Sequence, residues 1–258
     1  MRNVGFIGAG NMGYALMSGM KGSCSLHVYD ISKEATDRAV EKAGAIAEAS
    51  VTELVKASDI VFLAVKPQYL QPVVDEMKGL TDGKIIASIV ASRTIAYYEA
   101  AFGAETAIVR IMPNTPALVR EGMHTICFSE TVKAEDQDYM IGLLKATGRV
   151  MPIRENLMDA AMGVSGCGPA YIYILIEAMA DAGVAEGLFR KDATMLAAQT
   201  VLGAAKMVLE TGEHPGALKD AVCSPGGTTI RGVMALEEHG FRAAIEAAVE
   251  AAAHKKID

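Results

Sequence analysis

Residues 3–13 run Asn3-Val4-Gly5-Phe6-Ile7-Gly8-Ala9-Gly10-Asn11-Met12-Gly13. The first five residues predict a strand, the next six form a Gly-x-Gly-x-x-Gly turn, and residues 14–20 read as a helix. Each glycine has its own physical task. Gly8 permits the tight turn, Gly10 lets a pyrophosphate approach the backbone, and Gly13 lets the helix lie close on the strand, with the anion on the helix N-terminus. Such a triplet alone is weak evidence, because a glycine-rich turn needs no ligand. Here it follows a strand, and Asp30 ends the next strand-like run, 20 residues past Gly10, where a carboxylate meets the adenosine ribose. Ile7, Gly8, Ala9, Gly10, Asn11, Met12, Gly13 and Asp30 are therefore candidate cofactor contacts.

Outward from this motif, short β-branched runs alternate with helical stretches over about the first 150 residues. Strands are expected at 3–7, 25–29, 60–64, 84–90 and 107–112, and the alternation implies parallel strands joined by right-handed crossovers. Past Met151 the strand-like runs stop, and alanine-rich helical sequence continues, broken by Gly183, Gly187, Gly212, Pro225-Gly226-Gly227 and Gly240. The expected architecture is α/β: a doubly wound Rossmann domain over residues 1–163, followed by an all-helical domain over 164–258.

Composition narrows the function classes. The 258 residues are 51% hydrophobic, enough for a sizeable core, and the net charge of −7 argues against nucleic acid as a partner. Cys24, Cys127, Cys167 and Cys223 are scattered, as are the histidines, which suits reduced cytoplasmic thiols and offers no metal ligand set. The chain opens directly into its first strand without a signal-peptide pattern, and no uninterrupted apolar run reaches the length of a membrane span. A cytoplasmic protein without membrane contact is the expectation.

Two further strand ends point to the same carboxyl edge of the sheet, where doubly wound folds bind ligands. Ala64-Val65-Lys66-Pro67 closes one; Lys66 can neutralise phosphate, though a solvated loop lysine is as good a reading. Met112-Pro113-Asn114-Thr115-Pro116 closes another, and Pro113 and Asn114 join the candidate cofactor contacts, with turn-building as the alternative for these residues. Near the end, Cys223-Ser224-Pro225-Gly226-Gly227-Thr228-Thr229 precedes a helix. Free amides at a helix start, with hydroxyls from Ser224, Thr228 and Thr229 and room left by Gly226 and Gly227, suit a substrate carboxylate. Ordinary N-capping by Ser224 or Thr228 is the alternative, but two glycines and three hydroxyls exceed what a cap needs. Ser165, in Gly163-Val164-Ser165-Gly166-Cys167-Gly168-Pro169-Ala170-Tyr171, is a further substrate candidate, with Tyr171 beside it. No histidine stands near Cys167 in sequence, so it reads as a small buried residue rather than a nucleophile. Residues 171–176 are apolar all round a helix, which a second subunit can cover, as can the middle of a bundle.

These segments, in this order, resemble the pyrroline-5-carboxylate reductase family over essentially the whole chain, most specifically in residues 215–237 from Pro215-Gly216 to Leu236-Glu237. The resemblance implies reduction of 1-pyrroline-5-carboxylate to L-proline with NADPH or NADH, the last step of proline biosynthesis. It implies a helical dimerisation domain whose helices interlock between subunits, a homodimer or higher ring, and a substrate at the dimer interface. It also implies that residues 224–229 hold the substrate carboxylate while Thr229, the candidate catalytic residue, approaches the imine nitrogen. Cys167 departs from the serine common there in the family.

A β-hydroxyacid dehydrogenase shares the glycine-rich start and a helical second domain, but resembles a group using a catalytic lysine there, and no lysine lies between Lys145 and Lys191. A nucleotide-sensing protein without turnover is a third reading; the intact loop 224–229 argues against it. Cofactor choice is pulled two ways. Asp30 favours NADH by accepting ribose hydroxyls and repelling a phosphate, whereas Ser32 and Lys33 can hold the extra phosphate of NADPH.

Overall fold

The computed structural model describes residues 1–91 and 93–253. Two compact units divide the chain, Met1–Gly166 and Cys167–Ala252.

In the first unit β1 (Asn3–Ile7) leads into α1 (Asn11–Met20), then β2 (Ser25–Tyr29), α2 (Lys33–Arg38), β3 (Ile46–Ala47) and α3 (Val51–Ala57). The chain continues through β4 (Ile60–Leu63), α4 (Leu70–Met77), β5 (Ile85–Ser88), α5 (Ile95–Phe102) and β6 (Ala107–Met112). It ends with β7 (Gly122–Phe128), α6 (Ala134–Lys145), β8 (Gly148–Pro152) and the short α7 (Met158–Ala161). The eight strands lie in the order β3-β2-β1-β4-β5-β6-β7-β8. From β1 the chain builds first toward β3 and then, from β4, toward β8. That reversal opens a crevice at the carboxyl ends of β1 and β4, the place where such sheets bind ligands.

Alternation along the central strands covers both faces. Val4, Phe6, Ile60, Phe62, Ile85, Ala87, Val109 and Ile111 pack into one core, under α1 and α6. Ile7, Val61, Leu63, Ile86, Ile108 and Met112 pack into the other, under α3, α4 and α5. Phe6 and Phe62 stack across neighbouring strands with centroids 4.5 Å apart. Full burial of each contributes about 1.5–3 kcal/mol to holding the strands that carry the ligand edge.

The structure adds three strands to the expected five. β3 pairs only His27 with Ile46 and Val28 with Ala47, too short to leave a pattern. β7 runs antiparallel to β6, with Val109 opposite Phe128 and Met112 opposite Thr125, against the expectation of parallel crossovers alone. A single 3-10 turn, Thr115–Val119, joins the two strands, and that is too short for a crossover. His124 and Thr125 interrupt the apolar run of β7 although both are buried, and β8 is a partly exposed edge.

The second unit is helical: α8 (Gly168–Ala185), α9 (Arg190–Thr211), α10 (Pro215–Ala221), α11 (Thr228–Glu238) and α12 (Phe241–Ala253). Gly183 allows α8 to press on α9, since an added Cβ would lie 3.2 Å from the Ala193 Cβ. Only Ala180, Ala193 and Ala197 are buried among the residues of this unit. Tyr173 at 59%, Ile174 at 66% and Leu202 at 55% exposure show a unit whose apolar faces lack cover. One helical stretch, Glu155–Ala185, is long and apolar enough to cross a membrane by length and composition, although Asp159, Glu177 and Asp181 interrupt its apolar run.

Candidate active site

Gly8 ends β1 with φ +106°, a conformation that side chains resist, and an added Cβ would lie 2.5 Å from the Ala64 carbonyl oxygen. Its N–H donates to Tyr29 O at 2.9 Å, while Ala64 N–H donates to Ile7 O at 2.8 Å, so three strand ends converge on one turn. Gly13 is equally constrained, its virtual Cβ 2.4 Å from Gly8 O, whereas nothing lies within 4 Å of the same position on Gly10. Gly10 is also the N-cap of α1, and no side chain caps that helix. The result is an open helix N-terminus without a side-chain cap, whose first-turn amides suit a pyrophosphate.

The middle residue of this loop is gripped from both sides. Ala9 N–H donates to Asp30 Oδ2 at 2.6 Å, and Ala9 O accepts from Arg38 Nη2 at 2.7 Å. Asp30 Oδ1 takes the Ser32 N–H at 2.8 Å, and the Arg38 guanidinium lies 4.5 Å from the Tyr14 ring centroid. Beside the loop is a cavity of about 480 Å³, bounded by Ile7, Gly8, Gly10, Asp30, Ala64 and Lys66 among others. Val65 lines it too, so the β4 segment predicted from sequence is on the same wall; Pro67 opens the adjoining 3-10 turn. Val51, Tyr69, Pro72, Val73 and Glu76 complete the walls. Sequence reasoning missed them, although the position of α4 immediately after the strand β4 was a usable signal.

Pro113 and Asn114 do not line this cavity. The Asn114 side chain is committed internally: Oδ1 accepts Met123 N–H at 2.9 Å and Nδ2 donates to Ser165 O at 3.0 Å. Ser165 Oγ in turn donates to Ala161 O at 2.9 Å within its own helical turn. Both residues, read from sequence as ligand contacts, make internal hydrogen bonds that brace this region.

A buried charge cluster on the same sheet went unread. Arg110, 4% exposed in β6, donates through Nη1 to Glu155 Oε1 at 3.0 Å, and the same oxygen accepts Ile95 N–H at 2.7 Å at the start of α5. Next to it on β5, Ser88 Oγ bonds the Tyr98 hydroxyl at 2.6 Å, and burial pushes the Tyr98 phenol up to about 12. Burial, with Glu155 adding to it, also raises the Cys127 thiol to about 11, so that thiol stays protonated. An arginine inside the apolar run Ala107–Met112 was the available signal.

In the second unit, Ser224–Thr229 connects α10 to α11. The N-cap of α11 is Gly227, and no side chain caps the helix, so neither Ser224 nor Thr228 has the capping role. Gly226 has φ +71°, and an added Cβ on Gly227 would lie 2.5 Å from Ser224 Oγ. Ser224 Oγ therefore lies beside the start of α11, whose first two residues, Thr228 and Thr229, carry two further hydroxyls. Tyr171 donates its hydroxyl to Ala248 O at 3.2 Å, tying α8 to α12. Cys167 is half-buried at the N-cap of α8, more open than the sequence reading had it.

Comparison with known proteins finds one family over the C-terminal part of the chain and another over the N-terminal part. Residues 155–258 match a family described as pyrroline-5-carboxylate reductase dimerisation, and residues 3–92 match one described as NADP oxidoreductase, coenzyme F420-dependent. The chain is 44% identical to pyrroline-5-carboxylate reductase of Escherichia coli K12, covering 95% of this chain and 93% of that protein. It is 45% identical to the enzyme of Methanosarcina acetivorans, covering 96% and 94%. A crystal structure of Plasmodium falciparum pyrroline carboxylate reductase with NADP bound superposes with a TM-score of 0.89 at 36% identity, covering 98% of this chain and 95% of that one. Identity at this level across nearly the full length places the chain in the pyrroline-5-carboxylate reductase family.

Proposed function

We propose that the protein reduces 1-pyrroline-5-carboxylate to L-proline with NADPH or NADH, the final step of proline biosynthesis. The observation that carries this reading is a pair of uncapped helix N-termini, Gly10 before α1 and Gly227 before α11. One suits a dinucleotide pyrophosphate and the other a small carboxylate.

The residues Gly8–Gly13 would hold the cofactor, with Asp30 at its ribose and Ala64, Val65 and Lys66 along the cavity wall. When bound, the reduced nicotinamide supplies the hydride. The chain's own task is to hold the substrate and favour its protonated imine. The amides of Thr228, Thr229 and Ile230 and the Ser224 hydroxyl take the carboxylate. Thr229 Oγ1 orients the imine nitrogen or relays a proton to it from water. No tuned acid is needed, because an iminium already carries its charge.

Self-association belongs to the same reading: the apolar faces of α8 and α9 need cover, and a homodimer, alone or within a ring, provides it. The acidic net charge of −7 argues against a nucleic-acid partner, and the four free cysteines suit a reducing, cytoplasmic setting. The test is oxidation of NADH or NADPH by purified protein given pyrroline-5-carboxylate. Turnover is expected with at least one cofactor, and its absence with both at neutral pH overturns the reading.

A further inference from the structure

The dinucleotide loop and the end of β2 are joined by one carboxylate. Asp30 Oδ2 accepts Ala9 N–H at 2.6 Å and Oδ1 accepts Ser32 N–H at 2.8 Å, so both oxygens are seated by backbone amides. This matters for selectivity, because an unseated Asp30 would be free to turn aside for a phosphate. The carboxylate lines the 480 Å³ cavity together with Ile31 and Ser32. The cations that would have to offset it are directed elsewhere. Lys33 Nζ bonds Asp37 at 2.7 Å, its side chain 87% exposed, and does not line the cavity. Arg38 is turned to Ala9 O and stacked on Tyr14. Lys66 lines the cavity from the end of β4, but Glu76 faces the same space.

We propose that Asp30, locked by the amides of Ala9 and Ser32, selects NADH over NADPH in this protein. The inference rests on the dinucleotide reading of the site. Each carboxylate oxygen keeps a lone pair for the ribose hydroxyls of NADH. A 2′-phosphate in their place meets a negative charge that can retreat only by giving up Ala9, and with it the shape of the pyrophosphate loop. Selectivity and loop geometry are thereby coupled through one side chain.

The experiment is equilibrium binding of NADH and NADPH to the intact protein, followed by nicotinamide fluorescence without substrate and then by kcat/KM with each cofactor. Like-charge opposition at this part-buried carboxylate predicts NADH binding tighter by roughly tenfold. Asp30→Asn, which keeps an acceptor for Ala9 N–H but removes the charge, should move the NADH:NADPH ratio toward NADPH by about tenfold. Asp30→Ser should move it the same way while weakening both cofactors, because the loop loses its seat. Thermal melts report whether either variant is folded. Equal binding of the two cofactors by the wild type, or an unmoved ratio in folded Asp30→Asn, overturns the proposal. Selective NADH binding without turnover of the imine would instead overturn the proposed reaction and leave this inference standing.

Discussion

Asn114 Nδ2 donates to the carbonyl of Ser165 across 51 positions of sequence, and its Oδ1 simultaneously holds the amide of Met123 at the start of β7. One amide side chain thus fixes the turn after β6, the first residues of β7 and the turn that precedes α8.

Asn114→Ala should therefore behave as a stability variant. It removes the partner of a part-buried N–H and a part-buried carbonyl, at about 0.5–1.5 kcal/mol each. Denaturant unfolding should show that loss, with cofactor affinity changed by less than about threefold, equivalent to well under 1 kcal/mol. A variant of native stability with a large loss of cofactor affinity would restore Asn114 as a direct contact.

Thr229→Ala should lower kcat by about ten- to a thousandfold, the usual loss for one transition-state hydrogen bond, with cofactor binding preserved. Ser224→Ala should mainly raise the KM for the imine. Steady-state kinetics separates the two, and unchanged turnover in Thr229→Ala removes that hydroxyl from the mechanism.

Buried His124 predicts acid sensitivity. The Thr147 hydroxyl gives its proton to Leu144 O at 2.9 Å, so at the 2.9 Å contact with His124 Nε2 it accepts, and the ring is the Nε2–H tautomer. Nδ1 is buried without a partner, and burial, only partly opposed by Thr147, lowers the pKa below its usual 6.5. The unfolded chain takes up this proton first. Stability from this residue is complete above about pH 6.5 and is lost as pH falls toward the folded value, by up to about 1.4 kcal/mol per pH unit. Unfolding between pH 5 and 7 should show that slope reduced in His124→Gln. Parallel slopes for the two proteins would refute the assignment.

Light scattering on dilute, active protein should give a mass of at least two chains. Replacing Ile174, 66% exposed on α8, by Glu should release monomers and abolish turnover. An active wild-type monomer would contradict the proposed assembly.

How much of this is legible in the sequence depends on how local the signal is. The glycine loop announces itself because steric demands at Gly8 and Gly13 leave no other residue possible, and β1, β2, β4, β5 and β6 are apolar runs bounded by turns. β7 hides because His124 and Thr125 face the interior, satisfied or sheltered by groups such as Thr147 that sequence cannot bring near. Asp30 is visible as a carboxylate, but its grip on Ala9 depends on β1 lying beside β2. Arg110 and Glu155, 45 positions apart, become a pair only through the fold. The glycines and hydroxyls of the loop 224–229, on which the proposed carboxylate site rests, are visible in sequence, whereas the internal hydrogen bonds of Ser165 and Asn114 are not, since both residue types serve equally well as ligands and as braces.

The second unit buries three alanines and little else, and this has a consequence for the life of the chain in the cell. During synthesis the N-terminal sheet can complete itself before the ribosome has finished. On the proposed self-association, the C-terminal helices gain cover for their apolar faces only when another copy arrives, so that their folding and their pairing become one event. Under that proposal their persistence depends on how many sister chains are present: dilution would act on this half of the molecule as a denaturant, and newly made chains at low abundance would be open to proteases until they meet.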